Sequence, residues 1–339
     1  MGGLALKNTP TRRYERAEFD VISVELLDIL KKDFKRVAMP LFYKNKNSFG
    51  DADIIVSMED FKGNVRDYII ETFKPNEIFY NGNCYSFDYK ELQIDVITLA
   101  AEHFDSNEMY LSYNDLGNFI GRIAQGFGLK YGQKGLWYEH YFKGTNLGSS
   151  RPIIISKNYK EIYEFLGLSY ERWEAGFDEL EDIFEYISTC KYFNWERFQL
   201  KSLNKINRER NLKRKSYMSF LEWIDKNASD DNHKYIFDKT QDEYNQMIAE
   251  AFPECNLELN IRQLEYEHCK ELLIKAKFNG GDVMRQYGLK DKALGDAMTG
   301  FKAYIKELGT DYDRLILDNP KYFIYRLFEQ YLADLKPKV

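Results

Sequence analysis

Two aspartates alternate at the head of an apolar run in residues 48–56, SFGDADIIV. Aspartate is depleted in strands, yet Asp51 and Asp53 lead straight into Ile54, Ile55 and Val56. Residues i and i+2 of a strand share a face, so the two carboxylates stand side by side. Anions that close repel and raise one another's pKa unless a cation lies between them. A third aspartate, Asp95, is set in a second strand-like run, LQIDVITL, with Gln93 and Ile97 on its face. A half-buried carboxylate is costly without compensation. If the two strands are neighbours, three carboxylates converge on one open sheet face. Such hard oxygens suit two Mg2+ ions in octahedral geometry, and Mn2+ takes the same donors.

The surrounding pattern supplies that sheet. Apolar residues at helical spacing predict a helix over 17–34, followed by a strand in RVAMPLFY and a polar loop, KNKNSFG. After the strand DADIIVS come a helix in FKGNVRDYIIETF, a hairpin around Asn81-Gly82 and the strand KELQIDVITLA. Glycines between 126 and 135 predict another hairpin, and RPIIIS one more strand. From residue 157 onward the chain reads as helices. The expected class is α+β, a small mixed sheet with helices on one side followed by a helical C-terminal half. The expected organisation is a catalytic domain over 1–115, a hairpin-containing insertion over 116–160 and a helical acceptor-binding region over 161–339.

A net charge of −6 over 339 residues excludes a protein coated in positive charge, though not a local basic groove. The four cysteines form no C-x-x-C pair, which argues against zinc and against a disulfide framework. No apolar run reaches the roughly 18 residues of a membrane span. The opening MGGLALKNTPTRRY has no apolar stretch of signal-peptide length, so the expected location is the cytoplasm.

Just before the aspartates, Lys44, Lys46, Ser48 and Gly50 offer ammonium groups, a hydroxyl and loop amides, which suit the phosphates of a nucleoside triphosphate. A bland alternative is a polar turn with exposed aspartates. The run GDADIIV after a short polar loop, followed by LQIDVITL, resembles the DNA polymerase β-like nucleotidyltransferase superfamily. The opening GGLALK with TRRY is similar to that of phage-encoded members, for which the location would be the host cytoplasm. The resemblance implies that Asp51 and Asp53 ligate both metals, and that Asp95 ligates the catalytic metal and helps activate an incoming hydroxyl. One departure stands out. The superfamily carries Gly-Ser at the end of the first strand to hold the triphosphate, whereas this chain has MPLFYKNKN there. Phosphate binding would then fall to Lys44, Lys46 and Ser48. Gly2, Gly3, Lys7, Arg12 and Arg13 read as a basic, flexible arm.

In the helical half, residues 195–216 reverse the overall charge. Arg208, Arg210, Lys213, Arg214 and Lys215 are the expected nucleic-acid contacts, supported by Arg197, Lys201 and Lys205, with Asn204, Asn207 and Asn211 along the same surface. Phe198, Leu203, Ile206 and Leu212 would form the core-facing side. A solvated charged face is the competing interpretation. Residues 278–298, FNGGDVMRQYGLKDKALGDAM, look like a segment of the CCA-adding enzyme and poly(A) polymerase family, with Gly281, Asp282, Gly288 and Gly295 matching and Lys292 in place of a glycine. Helix capping by Gly281 and Gly288 explains the same glycines. In GLKYGQKGLWYEHY, Lys130, Lys134, Trp137 and Tyr138 suit stacking on a base or packing in a hairpin.

Together these features predict a metal-dependent enzyme that moves a nucleotide from a nucleoside triphosphate to a hydroxyl, the 3′ end of an RNA such as tRNA, releasing pyrophosphate. The alternatives are a toxin-like or antibiotic-type enzyme acting on a tRNA, a protein or a small molecule, and a catalytically silent nucleic-acid-binding protein on the same scaffold.

Overall fold

The computed structural model describes residues 3, 5–142 and 150–335. The chain forms two compact units, one of residues 1–140 and 152–257 and the other of 141–151 and 258–339. The fold is α+β, with mixed sheets and helices first and a largely helical C-terminal half.

In the first unit, β1 (Tyr14–Glu15) leads directly into α1 (Arg16–Leu30). Glu15 and Glu18 form a reciprocal capping box at its start. Then follow β2 (Val37–Ala38), β3 (Ser48–Phe49), β4 (Asp51–Ser57), α2 (Val65–Phe73), β5 (Ile78–Asn81), β6 (Cys84–Tyr89) and β7 (Leu92–Leu99). The main sheet has the order β2-β4-β7-β6-β5. Strand β4 runs parallel to β7, and Asp53 is the register partner of Asp95. The strand predicted over 36–43 shrinks to Val37–Ala38, because Pro40 lacks the N–H that would continue the ladder. The polar loop instead yields β3, which pairs with β1.

Alternation in β4 explains both faces of this sheet. Ala52, Ile54 and Val56 point back with Ile94, Val96 and Phe87 into a core filled by Phe19, Ile22, Leu26 and Leu30 of α1 and Val65, Ile69 and Phe73 of α2. On the front face, Ile55, Ile97 and Leu99 are covered by Phe104 of α3 (Phe104–Leu111). Helices therefore lie on both sides, not one. The front cover stops short of the beginnings of β4 and β7, leaving Asp51, Asp53 and Asp95 uncapped.

Next come α4 (Leu116–Ala124) and the predicted hairpin, β8 (Leu129–Gly132) with β9 (Gly135–Tyr141), extended by β10 (Ser150–Ser156) into a three-stranded sheet. Lys130 and the Trp137 indole both bond to Glu139, so the two residues act within the hairpin. Helices α5 (Tyr159–Phe165), α6 (Tyr170–Ala175) and α7 (Leu180–Ser188) lead to the basic segment. That segment is two helices, α8 (Lys205–Leu212) and α9 (Lys215–Asn227). Of the predicted core side, Phe198 and Leu203 are buried, whereas Ile206 and Leu212 are 78% and 51% exposed. Burial passes instead to Tyr217, Phe220, Leu221 and Ile224 of α9, because the break at residues 213–214 resets the helical phase. Helix α10 (Gln241–Ala251) completes the unit.

The second unit contains α11 (Leu257–Lys277), α12 (Gly280–Tyr287), α13 (Asp291–Glu307), α14 (Tyr312–Asp318) and α15 (Lys321–Asp334). Its core is built on Phe278, Val283, Phe301, Ile316, Ile324 and Phe328. Gly288 ends α12 in the left-handed conformation, as a helix cap. Asp291, next to Lys292, also has φ of 49°, a region aspartate tolerates better than most residues. No described helix is long and apolar enough to cross a membrane.

Candidate metal centre and cleft

The parallel pairing of β4 and β7 brings one side-chain oxygen from each of Asp51, Asp53 and Asp95 to within 4.8 Å of the others. Gln93, two residues before Asp95 on the same face, donates from Nε2 to both Asp95 oxygens at 3.0 and 3.1 Å. The Ser86 hydroxyl, opposite on β6, donates to Asp95 as well. Asp95 is thereby fixed in orientation before any ligand arrives.

The electrostatics are those of an uncompensated acidic cluster. Desolvation pushes the Asp53 carboxyl up to about 8, with the charges of Asp51 and Asp95 adding to the effect and Lys46 opposing it. The Asp53 side chain is exposed at the floor of the cleft, so solvent screens part of this repulsion, and the upward direction rests on the two neighbouring carboxylates. Burial raises Asp95 to about 6 against the hydrogen bonds from Ser86 and Gln93. Asp51 is also raised by burial, opposed by Lys46 and by the backbone N–H of Gly3. Three hard oxygen donors that resist ionising together fit a divalent cation, whose charge would remove the repulsion.

The carboxylates open onto a cleft of about 1130 Å³, lined by Asp51 and Asp53 and also by Arg12, Arg13, Lys46, Arg210, Lys213, Arg214 and Lys215. Lining cations outnumber carboxylates in a protein that is acidic overall. The Lys46 ammonium lies 4.7 Å from the Phe49 ring centre, and the charges of Asp51 and Asp53 partly offset the burial that lowers its pKa. Arg210, Lys213 and Lys215 make no ion pair among the described residues, whereas Arg214 is bound to Asp115, which also accepts from Ser216.

The structure brings together most of the residues singled out by sequence. Ser48 and Gly50 line the cleft with Lys46, but Lys44 is turned to Asp178 at 2.6 Å. Arg208 is folded back onto the carbonyls of Leu200 and Leu203. Asn204 is spent capping α8, and Asn211 is buried.

The arm at residues 3–13 is the largest departure from expectation. Gly2 and Leu4 lie outside the described residues, but the described part of the arm is pinned. Ala5 donates its N–H to Gln93 Oε1 at 2.9 Å, and the N–H groups of Lys7, Asn8 and Thr9 converge on the Glu77 carboxylate. Arg13 bonds to the hydroxyl and carbonyl of Ser48. Gln93 thus links the arm to Asp95. The one legible clue was its position on the aspartate's face.

Gly3 has φ of 78°, and a Cβ there would lie 2.5 Å from the Gly50 carbonyl oxygen. Gly3→Ala is therefore expected to lift the arm from the sheet, at a cost of about 1–2 kcal/mol for the left-handed backbone alone. Trypsin should then cut after Lys7 faster than in the wild type; equal cleavage rates would show that the arm does not depend on Gly3.

A five-stranded mixed sheet bearing three clustered aspartates is compatible with a polymerase β-like fold. No protein-family model matches this chain, and no curated protein matches it either.

Proposed function

We propose that the chain is a divalent-metal-dependent nucleotidyltransferase of the polymerase β-like superfamily, moving a nucleotide from a nucleoside triphosphate to the 3′ hydroxyl of an RNA such as tRNA. The observation that carries this reading is the register of β4 on β7, which sets Asp53 beside Asp95 with Asp51 next to them. Residues 1–115 would carry the chemistry, and the helical region from 161 would present the acceptor.

Asp51 and Asp53 would hold two ions, and Asp95 the one on the acceptor's side. When bound, such ions supply Lewis acidity that favours ionisation of an attacking hydroxyl and steadies the leaving oxygen. The protein's part is positioning and charge. Lys46, Ser48 and the Gly50 amide would face the triphosphate from one wall, with Lys213 and Lys215 opposite. This replaces the absent Gly-Ser contact. Asp95, oriented by Gln93 and Ser86, would receive the acceptor's proton as its oxygen bonds to the α-phosphorus. The bond from that phosphorus to the bridging oxygen breaks, and pyrophosphate leaves.

Labelled triphosphates offered one at a time with total tRNA, DNA primers and protein test the assignment. The tRNA fraction is expected to carry label; label confined to protein or DNA would refute the RNA acceptor, and none at all the activity. Arg210→Glu with Lys213→Glu is expected to weaken RNA binding and to flatten the salt dependence by about one log unit per lost phosphate contact. An unchanged slope would move the RNA off this wall.

A further inference from the structure

A second polar line runs along α4 at helical spacing, formed by Asp115 and Asn118, which line the cleft, and Arg122, which does not. Asp115 holds Arg214 and Ser216, and Asn118 donates to Asn211 Oδ1 at 3.4 Å. Arg122, only 8% exposed, has one hydrogen bond, from Nη1 to Gln125 Oε1 at 3.0 Å. The guanidinium of Arg197 stacks on Phe237 at 4.9 Å, and Phe237 lies against Gly126, where any Cβ would collide with its ring. Both guanidiniums therefore flank residues 125–126. The two feel each other, since after burial itself the charge of Arg122 is the main influence lowering the pKa of Arg197.

No carboxylate pairs with either arginine among the described residues. Arg197 Nε is buried without a partner, as are Trp195 Nε1 and Gln199 Nε2 beside it in sequence. Asn211 and Arg122 both act on Tyr217, whose hydroxyl donates to the Phe198 carbonyl at 2.6 Å. These three orphans are all donors. Buried donors without acceptors and like charges without a counter-ion are both unfavourable. A tetrahedral oxyanion relieves both, because its several acceptor oxygens match guanidinium forks. A lone carboxylate has fewer oxygens to share among so many donors.

We propose that Arg122 and Arg197 form a phosphate-binding site inside the first unit, separate from the aspartate-lined cleft and filled by inorganic phosphate or the phosphate of a nucleoside monophosphate. Neither arginine lines that cleft. The site adjoins it through Asn118 and Asn211, so a bound phosphate would brace the helices that form the cationic wall.

Equilibrium dialysis of the full chain against labelled inorganic phosphate, without divalent metal, reads the site directly. Wild type is expected to bind saturably, and Arg197→Gln to bind at least about tenfold more weakly. Lys213→Ala, in the cleft, should change the dissociation constant by less than about twofold. Competition by adenosine monophosphate would assign the phosphate of a nucleotide, and competition by inorganic phosphate alone the free ion. Equal binding by wild type and Arg197→Gln, or loss of binding in Lys213→Ala instead, overturns the site. Arg197→Gln should also gain thermal stability in chloride buffer and lose the phosphate-dependent rise of wild type. If Arg197→Gln does not fold, Arg197→Lys, which keeps the charge but not the fork, is read against the same criterion.

Discussion

Asp53→Asn is expected to remove nucleotide transfer, by roughly 10³-fold or more, while leaving the protein folded. The substitution keeps the shape of the side chain and removes a carboxylate that lies within reach of both other members of the triad. Its backbone partners in the β4–β7 ladder are untouched, and the flanking Ala52 and Ile54 stay in the rear core. A loss of activity with an unchanged circular dichroism spectrum would therefore report the site and not the fold. Residual transfer near the wild-type rate would mean that the metal-dependent chemistry does not occur at these aspartates. Gln93→Leu provides a graded comparison. It removes the donor that orients Asp95 and the acceptor for Ala5 without touching a carboxylate. Its effect should be smaller than that of Asp53→Asn, and activity should recover in part with Gln93→Asn.

The aspartates were legible because strand alternation leaves a mark on local sequence. An acidic residue at every second place before an apolar run has few uses, and Asp95 is conspicuous between Ile94 and Val96. The hairpins were legible for the same reason, since glycine and asparagine announce turns within a few residues. Contacts that span long stretches of chain leave no such mark. Nothing in Lys7, Asn8 and Thr9 points to Glu77, nor in Ala5 to Gln93, 88 residues away. The arm therefore looked like free basic chain, although Arg12 and Arg13 line the cleft. In the basic segment the charge count was informative, while the helical phase was not. The helix starts only at Lys205, after the extended Leu203, so Ile206 falls on the cleft wall out of phase with the buried Phe198 and Leu203, and Arg208 turns back onto Leu200. Composition places charge in a region, and only the tertiary fold selects which cations meet the site.

The same cluster should make the metal-free protein less stable as pH rises from about 4 to about 8. An unfolded aspartate ionises near 3.9, whereas Asp53 is raised to about 8 and Asp95 to about 6, in both cases mainly by burial. Between those limits the folded chain retains protons that the unfolded chain has lost. Stability therefore falls with pH across this window and is fullest below it. Lys46, whose pKa is lowered by burial, acts in the opposite sense but only toward the alkaline end. The measurement is the melting temperature in chelator at pH 6, 7 and 8. Wild type should melt lower at pH 8 than at pH 6, by less than the full shift implies because solvent screens the exposed Asp53. Asp53→Asn, with one carboxylate fewer, should lose less and melt higher at pH 8. Mg2+ should reverse the trend for wild type alone, because its binding is favoured by the ionised form, and should release protons near neutral pH. If wild type and Asp53→Asn show parallel pH profiles and the same response to Mg2+, the three carboxylates are not coupled and hold no ion in common. If the profiles diverge but Mg2+ changes neither, the cluster is an electrostatic strain relieved by protons alone, and the chemistry proposed for the cleft loses its physical basis.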